Sequence, residues 1–431
     1  MIRIFVVAAF IMMGGFAQAD DILIENVRIF DGVNSKLQAG HVLVRDGIIA
    51  EVSRSRLELP AGATRIDGGN RVLSPGFIDL HAHLTGHIPA DQHGQHATLY
   101  GAYAVDAARF FLNSGFTTVR DAGGTHPDLA RAINSGSLAG PRVFPSGAIV
   151  SQTAGHGDWR SRNSAHPTLG GGSPYMPGDN AVLADGVDQT LVAVRENLKN
   201  GATQIKIMGG GGVMSEFDPI HSLQPSPAEI RAAVQAAGDW GTYVLAHAYT
   251  SEAVTRLVEN GVRCIEHGLL IDDATAKLMA DNDVAISTQL TIYRILGNME
   301  GLSDTNREKA ALVLEGQDRL IDLIKKYRIR TGFSTDFIMG QYPLLAKEFE
   351  YRSEYWTPAE VLAQATSQAA EIIRMSGKLN RYGNFGEIRA GWVADLLLIN
   401  GEPLQDLSVL NDPDSGLALI MQGGKIVKSA L

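Results

Sequence analysis

Residues 75–87 read PGFIDLHAHLTGH, and this stretch decides how the rest of the chain is interpreted. Apolar residues lead directly into two histidines, His81 and His83. In a β-strand, side chains two positions apart point to the same face, so both imidazoles project together, whereas on a helix they would diverge. The stretch therefore predicts a buried strand that ends in two chemically active side chains.

Further short strands follow along the middle of the chain. A helical segment, a turn with Gly or Asn, and an apolar strand recur at residues 112–121, 198–209, 239–248, 258–268, 279–289 and 326–336. Gly after a helix is typical of a left-handed cap, and apolar strands that follow it are typical of a parallel sheet covered by helices. Together with residues 76–83 and 141–149, this makes eight strands.

Eight strands that alternate with helices predict an α/β fold, specifically a (β/α)8 TIM barrel over residues 76–384. The competing interpretation is a doubly wound open sheet, which would carry a glycine-rich dinucleotide loop after its first strand; HAHLTGH is not such a loop. The chain ends, residues 20–75 and 385–431, consist of short alternating strands and predict one small β-sandwich built from both termini. Residues 1–19 resemble a signal peptide that is cut after Ala19.

The composition excludes some function classes. A formal charge of −10 and a pI near 5.6, without a run of Lys or Arg, argue against a nucleic-acid partner. The apolar part of the leader is too short to span a membrane, and no later segment is long enough, so we expect no membrane span after its removal. Cys264 is the only cysteine, so the chain has no internal disulfide.

Polar side chains fall at the predicted ends of the barrel strands, where active sites of such barrels lie. A lone histidine there is more often a hydrogen-bonded core residue, but neutral imidazoles that share a cavity with a carboxylate are the ligands of a divalent metal. Several such residues together are not explained as separate core positions. The sequence predicts a metal site built from His81, His83, Lys206, His247, His267 and Asp336.

Lys206, within QIKIMGGGG, is the unusual member of this set. Two cations would repel its ammonium group, and an uncharged amine is a poor ligand for hard metal ions. Capture of carbon dioxide by the amine would produce a carbamate, whose two oxygens can bridge two ions. The alternative is a core lysine in an ion pair.

These motifs resemble those of the amidohydrolase superfamily, in particular its dipeptidase-like members related to Xaa-Pro dipeptidases and imidazolonepropionases. The resemblance covers nearly all of the mature chain. It is carried by GFIDLHAHL, TTVRDAGG, QIKIMGGGGVMS, LAHAYT, CIEHG, STDF and GEIRAGWVADLLLING. The HxH strand combined with the later Lys, His, His and Asp makes it specific, while any one piece would be weak.

The resemblance implies two divalent metal ions, with Zn²⁺ as the default and manganese, cobalt or nickel as alternatives. The implied ligands are His81, His83 and Asp336 for one ion, His247 and His267 for the second, and a carboxylated Lys206 as the bridge. Two such ions lower the pKa of a shared water. Asp336 is then expected to take the proton of that water and to deliver it to the leaving amine.

Loops after the strands supply further candidates. SQTAGHGDW (151–159) brings His156 to the rim, where its imidazole is expected to stabilise the developing oxyanion; related dipeptidases have a similar GGHGD stretch, and the alternative is a histidine in solvent. The long segment 151–186 is expected to be a lid or substrate loop. Candidates for binding the substrate carboxylate are Arg120, Arg160, Arg162 and Tyr249. For Arg120 the alternative is a structural pair with Asp121 or another acid. Candidates for an apolar pocket are Met208, Met214, Phe217, Met339 and Tyr342.

The sequence therefore predicts an exported, periplasmic hydrolase that cleaves an amide bond in small peptides or N-acyl amino acids with an apolar or prolyl part, in the manner of a dipeptidase or carboxypeptidase. The open alternatives are an ochratoxin-type N-acyl-phenylalanine amidase, a cyclic-amide hydrolase resembling imidazolonepropionase, and a phosphotriesterase. A periplasmic binder of small molecules is the non-enzyme alternative; it would lack Asp336 or Lys206, and both are present. Association into a homo-oligomer is a further expectation.

Overall fold

The computed structural model describes residues 21–58, 61–88, 97–299 and 301–431, so the predicted leader at residues 1–19 lies outside the described part. The strands are β1 Ile22–Ile29, β2 Gln38–Arg45, β3 Ile48–Ser53, β4 Thr64–Asp67, β5 Val72–Pro75, β6 Phe77–Ala82, β7 Phe116–Asp121, β8 Arg142–Pro145, β9 Ile149–Ser151, β10 Ala181–Leu183, β11 Ile205–Met208, β12 Val244–Thr250, β13 Cys264–Leu270, β14 Ala285–Ser287, β15 Leu396–Ile399, β16 Leu417–Gln422 and β17 Lys425–Ser429.

The helices lie mainly between these parallel strands. They are α1 Ala97–Asn113, α2 Pro127–Asn134, α3 Val187–Asn200, α4 Pro227–Asp239, α5 Ser251–Glu259, α6 Asp273–Asp281, α7 Thr291–Leu296, α8 Asp304–Leu314, α9 Gln317–Tyr327, α10 Leu345–Arg352, α11 Pro358–Ala363, α12 Ala369–Ile373 and α13 Pro413–Gly416. Short 3-10 turns include Leu84–His87 and Tyr342–Leu344, and a π-helical turn spans Gln364–Gln368. Within the described ranges, none of these helices is long and apolar enough to cross a membrane.

Both ends of the chain contribute to one separate sheet. Its strand order is β17-β16-β15-β5-β1-β2-β3, and β4 pairs with β1. The sheet curls, because Ile48 at the β3 edge forms an antiparallel bridge to Val393, just before β15. One apolar cluster, which includes Ile24, Val42 and Leu398, lies along its inner face. The predicted small β-region is therefore one curled sheet whose apolar face is shared by strands from both chain ends.

The middle of the chain forms two parallel sheets, as the repeated helix and strand pattern predicts. The first has the order β6-β7-β8, and the second has the order β10-β9-β11-β12-β13-β14. Glycines with positive φ, such as Gly201 (113°) and Gly261 (94°), follow α3 and α5 and turn the chain back into the next strand. An L side chain at these backbone angles would be strained.

Two of the eight predicted strands differ from regular strands. The third is divided into β8 and β9, and the two sheets separate there. The eighth, residues 331–336, has no ladder of its own, but it bridges β14 through Ile286 and Thr331. On its other side it meets β6, where the amide of Leu80 donates to the carbonyl of Phe333 at 2.9 Å and the amide of Asp336 donates to the carbonyl of His81 at 2.8 Å. This segment therefore lies between the two parallel sheets.

Candidate metal centre

The predicted ligands occupy neighbouring carboxyl ends of the parallel strands. His81 is the penultimate residue of β6, and His83 is the first residue after this strand. His247 and His267 lie in β12 and β13. Asp336 ends the segment that bonds to β6, and its positive φ of 55° redirects the chain into the following loop. All of these side chains are at the same end of the strands, so the strand-end prediction places them correctly relative to one another.

Three of the ligands form a compact group. Nε2 of His81 lies 3.1 Å from Nε2 of His83, and Oδ1 of Asp336 lies 3.3 Å from the first nitrogen and 3.2 Å from the second. The three donor atoms are all within 4.8 Å of one another. Two imidazole nitrogens and one carboxylate oxygen at such separations fit a single divalent ion.

The remaining predicted ligands adjoin this group. The ring centroid of His267 is 5.1 Å from that of His81 and 4.5 Å from that of His247. Lys206 is buried on β11, next to β12, close enough to the carboxylates of Glu266 and Asp336 for their charges to act on its pKa. Burial lowers the pKa of Lys206, which favours the uncharged amine that reaction with carbon dioxide requires.

Hydrogen bonds orient the two histidines of the HxH strand. Nδ1 of His81 is 2.6 Å from Oε2 of Glu266, and Nδ1 of His83 is 2.7 Å from the carbonyl oxygen of Gly123. Each acceptor holds a proton on Nδ1, so Nε2 keeps its lone pair and faces the cluster. This is the arrangement that a metal-ligating imidazole needs.

The histidines of β12 and β13 are held in the same way. Nδ1 of His267 lies 2.8 Å from Oε1 of Gln289 and 2.7 Å from the hydroxyl of Tyr293. For His247 it is Nε2 that meets an acceptor, the carbonyl of Gly211 at 3.1 Å, so Nδ1 is the nitrogen left as a ligand. The donor set of all four histidines therefore fits divalent ions.

Burial keeps most of these imidazoles neutral. It lowers the pKa of His81 to about 4 and that of His267 to about 3, and it holds the pKa of His247 well below its ordinary value. For His83, the hydrogen bond and charge of Asp336 outweigh burial and raise the pKa. Burial opposes ionisation of Asp336, but the adjoining histidines hold the pKa of this carboxyl well below its usual range.

A second polar cluster lies directly beneath the histidines. Oε1 of Glu266 accepts from Nη2 of Arg120 at 2.6 Å and from Sγ of Cys264 at 3.2 Å. Nη1 of Arg120 also bonds to the hydroxyl of Tyr243 at 3.1 Å. We call Arg120, Tyr243, Cys264 and Glu266 the floor of the site, and His81, His83, His247, His267 and Asp336 its rim.

The floor changes the predicted role of Arg120. This residue is fully buried, and its guanidinium is bonded to Glu266, Tyr243 and the carbonyl oxygen of Leu80. Its donors are directed into the interior, which argues against the predicted contact with a substrate carboxylate. The cause is tertiary: Glu266 from β13 reaches the same depth and neutralises the charge.

Sequence reasoning missed Glu266 and Gln289. Strand alternation places Glu266 opposite His267, but His267 has a φ of 77°, so the backbone is not extended there and both side chains reach the cluster. The adjacent Glu and His of CIEHG were the only local signal. Gln289 lies two residues after β14, and the strand-end argument that identified the histidines also applies to it.

The loop after β9 brings His156 against the rim. Its ring stacks on that of His247, with centroids 4.3 Å apart and planes 30° apart. Nδ1 of His156 is 2.5 Å from Oγ of Ser215 and 3.5 Å from Oδ2 of Asp218. His156 is therefore positioned beside the predicted metal ligands.

The other candidates for the substrate carboxylate are distributed differently. Tyr249 is buried beside the rim, with its ring centroid 4.9 Å from that of His247 and its hydroxyl 3.1 Å from the hydroxyl of Tyr293. The guanidinium of Arg160 pairs with Asp158 at 2.7 Å inside its own loop. Arg162 is largely exposed and lies 4.6 Å over the ring of Phe217.

The candidates for an apolar pocket are only partly brought together. Met208 is buried in a small cluster under the 151–186 loop, and Met214 packs against the main core. Tyr342 instead turns towards α1, where its hydroxyl donates to Asp106 at 2.8 Å and its ring contacts His87, with centroids 5.0 Å apart. Its predicted role in binding substrate is thus replaced by a contact that joins a loop to a helix. Met339 is half-buried in that loop.

Parallel strands with a histidine and carboxylate cluster at their carboxyl ends are typical of metal-dependent hydrolases. The model of the amidohydrolase family matches residues 72–427, and the chain belongs to this family. A crystal structure of an amidohydrolase superimposes with a TM-score of 0.89 at 38% identity, over 95% of this chain and all of the other. The family and the site make the protein a hydrolase that acts on amide bonds.

Two further relatives show which members of the amidohydrolase family the chain is similar to. A prolidase crystallised with N-methylphosphonate-L-proline superimposes with a TM-score of 0.88 at 35% identity, over 95% of this chain and all of that chain. The ochratoxinase of Aspergillus niger is 28% identical over 421 residues, which cover 93% of this chain and 85% of the ochratoxinase. Its crystal structure has a TM-score of 0.84 at 27% identity, over 96% of each chain. The chain is therefore similar to the dipeptidase-like part of the family.

Proposed function

We propose that the protein is a binuclear amidohydrolase that cleaves small peptides or N-acyl amino acids with a prolyl or apolar residue. The observation that carries the proposal is the rim: His81, His83 and Asp336 converge within hydrogen-bond distance. Each rim histidine also has one nitrogen held by a protein acceptor, which a set of unrelated core histidines does not require. The similarity to a prolidase and to ochratoxinase supports the substrate class.

The residues present divide into two ligand groups. His81, His83 and Asp336 would hold one ion and His247 and His267 the other, and Lys206, once carboxylated, would supply carbamate oxygens as further ligands. Zn²⁺ is the proposed occupant, since it accepts mixed nitrogen and oxygen ligands. When bound, such ions polarise the scissile carbonyl and lower the pKa of water.

The chain's own residues supply proton transfer and orientation. Asp336 is ionised because its neighbours depress its pKa, so its carboxylate is ready to accept the proton of the attacking water and to return it to the leaving amine. His156 lies over His247 and is proposed to stabilise the oxyanion that develops at the carbonyl. Tyr249, buried at the same edge, is proposed to orient the substrate.

Several broader features belong to the same proposal. The segment 331–336 bonds to both parallel sheets, which supports their closure into one (β/α)8 barrel over residues 76–384. Export through the leader at residues 1–19, a periplasmic location, a lid role for residues 151–186 and a homo-oligomeric state are also proposed. We also propose the boundaries 20–75 and 385–431 for the small β-sandwich, and these ranges include β1–β5 and β15–β17.

A second candidate is an N-acyl-phenylalanine amidase, favoured by the similarity to ochratoxinase over 93% of this chain. Both candidates are tested together by metal analysis of the purified protein and a product-detected screen. The screen would contain Xaa-Pro dipeptides, other dipeptides, N-acyl phenylalanines, a cyclic amide and a phosphotriester. Release of amino acid that depends on two bound metals supports the proposal, and the preferred amide separates its two forms. Two bound metals without hydrolysis of any compound would favour a binding protein.

A further inference from the structure

The loop that follows β11, residues 209–218, surrounds His156 on several sides. Gly212 lies against the Nδ1 and Cε1 atoms of the imidazole: a Cβ added to Gly212 would be 2.0 Å from both atoms. His247 stacks on the ring at 4.3 Å. Ser215 and Asp218 lie at Nδ1, 2.5 Å and 3.5 Å away. Only a glycine allows the ring this close approach, so the loop is shaped around the histidine.

The orientation of His156 follows from these contacts. Its Nδ1 edge faces Ser215 and Asp218, while Nε2 has no hydrogen bond among the described residues. The side chain is 15% exposed, and Nε2 is the ring nitrogen that remains available to a ligand. The backbone amide of His156 is also fixed, since it donates to Oε1 of Gln224 at 3.0 Å. The ring is therefore held at its Nδ1 edge.

Asp218 connects His156 to the fold of the loop. It is almost completely buried, and its Oδ2 accepts from the amide of Gly212 at 2.7 Å. The same oxygen thus bonds to the glycine that lies against the ring and is 3.5 Å from Nδ1 of His156, whose hydrogen-bond partner is Ser215. A buried carboxylate in this position needs compensation by nearby charge or donors.

Lys309 supplies that compensation from a distant helix. It reaches from α8, and its ammonium donates to the carbonyls of Gly212, Ser215 and Asp218 at 3.0, 2.8 and 2.8 Å. All three protons of the ammonium are thus used, and Oδ1 of Asp218 lies 3.6 Å away. Because Lys309 is nearly buried and donates all three hydrogen bonds to residues 209–218, it fixes the shape of this loop.

We propose that Asp218 is a positioning residue that holds His156 by its Nδ1 edge and aims Nε2 at the reacting carbonyl, and that Lys309 secures the loop from which it does so. The inference rests on the proposed function for the identity of the reaction, and on the contacts above for the positioning. It assigns a role in catalysis to Lys309, about 90 residues beyond the loop it binds.

The test compares Asp218→Asn and Lys309→Met with matched controls. The exposed ion pair Lys277–Asp281 supplies them, as Lys277→Met and Asp281→Asn. Each holoenzyme is assayed for kcat and KM on the best substrate of the screen, for bound metal, and for calorimetric affinity of N-methylphosphonate-L-proline. We expect both test variants to lose at least about tenfold in kcat and in phosphonate affinity, with KM within about threefold and two metals retained. The controls should match the parent.

This pattern separates positioning from plain stability. A structural role alone would lower the unfolding midpoint without a selective loss of kcat and phosphonate affinity. If Asp218→Asn keeps both within about twofold while His156→Asn loses them, the positioning role is overturned and the proposed function stands. If Lys309→Met does not fold, Lys309→Arg replaces it, since a guanidinium retains the charge but cannot place three donors on the same carbonyls.

Hydrogen exchange of the full chain, read by mass spectrometry, makes the test independent of activity. Lys309→Met should raise deuterium uptake in peptides from residues 209–224 relative to Lys277→Met. If the parent neither hydrolyses an amide nor binds the phosphonate, the proposed function fails. The deuterium uptake of residues 209–224 then still tests whether Lys309 secures the loop. Raised uptake supports the role of Lys309 in securing the loop, and unchanged uptake overturns it.

Discussion

The rim and the floor of the site are two adjoining polar clusters, and they differ in how their polar atoms are used. The floor pair, Arg120 and Glu266, is fully buried and its charges neutralise each other. On the rim, the side chains of His83 and Asp336 are 14% and 22% exposed. Most donors and acceptors of the floor are used within it, apart from Oε2 of Glu266, which bonds to His81. On the rim, by contrast, His81, His83 and Asp336 place their ligand atoms within 4.8 Å of one another.

His81 is a rim residue that connects the rim to the floor. Its Nδ1 meets Glu266 of the floor and its Nε2 meets Asp336 of the rim. The floor therefore sets which nitrogen of His81 is available, and the rim uses it. A charged residue at a strand end can therefore bind a metal or substrate only when one of its polar atoms has no partner in the protein.

The largest effect is expected at the rim. Asp336→Asn removes a ligand oxygen charge and the proton acceptor together, so kcat/KM should fall by about 10³-fold or more. Bound metal per chain should also fall, as measured by atomic emission. Asp281→Asn, on an exposed helix, is the control and should behave as the parent. Retention of a tenth of the parental kcat/KM would contradict the role of Asp336.

Glu266→Gln tests the floor. The substitution leaves the buried guanidinium of Arg120 without its anionic partner and weakens the acceptor at Nδ1 of His81. We expect metal affinity to fall by about 10- to 100-fold and the free energy of unfolding to fall by about 3–5 kcal/mol. Competition with a chelator and chemical denaturation measure these quantities, with Glu196→Gln at the surface as control. A stable variant with parental metal affinity would show that the floor does not tune the rim.

His156→Asn probes a residue that stacks on the rim but is not itself a predicted ligand. Turnover should fall at least about tenfold because a group that stabilises the oxyanion is lost. Metal content should remain that of the parent, since His156 contacts His247 only by stacking. Parental turnover would remove His156 from the mechanism.

Cys264→Ala should have the smallest effect. Cys264 is a neutral member of the floor, and its Sγ contributes a weak bond to Glu266. We expect a loss of about 1 kcal/mol in the free energy of unfolding and kcat within about twofold of the parent. A large loss of kcat would reveal that the floor acts in catalysis directly rather than by holding His81.

Much of the site could be predicted from the sequence because its signals are local. The period of two along a strand explains why His81 and His83 share a face, and parallel strands bring His247 and His267 to the same end. How deeply a strand-end side chain lies in the site, and whether another residue pairs with it there, cannot be predicted from its neighbours in the sequence. Arg120 and Tyr249 have similar sequence contexts at strand ends, so the sequence leaves open whether Arg120 binds substrate or pairs with an acid. Glu266 from another strand forms that pair.

Patterns within a few residues are enough to predict the alternating fold, the separate sheet at the chain ends and the identity of the rim residues. Which polar atoms stay unpaired depends instead on how distant parts of the chain pack together. Glu266 meets Arg120 from another strand, Tyr342 bonds to Asp106 from 236 residues away, and Lys309 reaches the loop around His156. Such pairings arise when distant elements pack at a fixed depth, and no local pattern of charge or hydropathy encodes them.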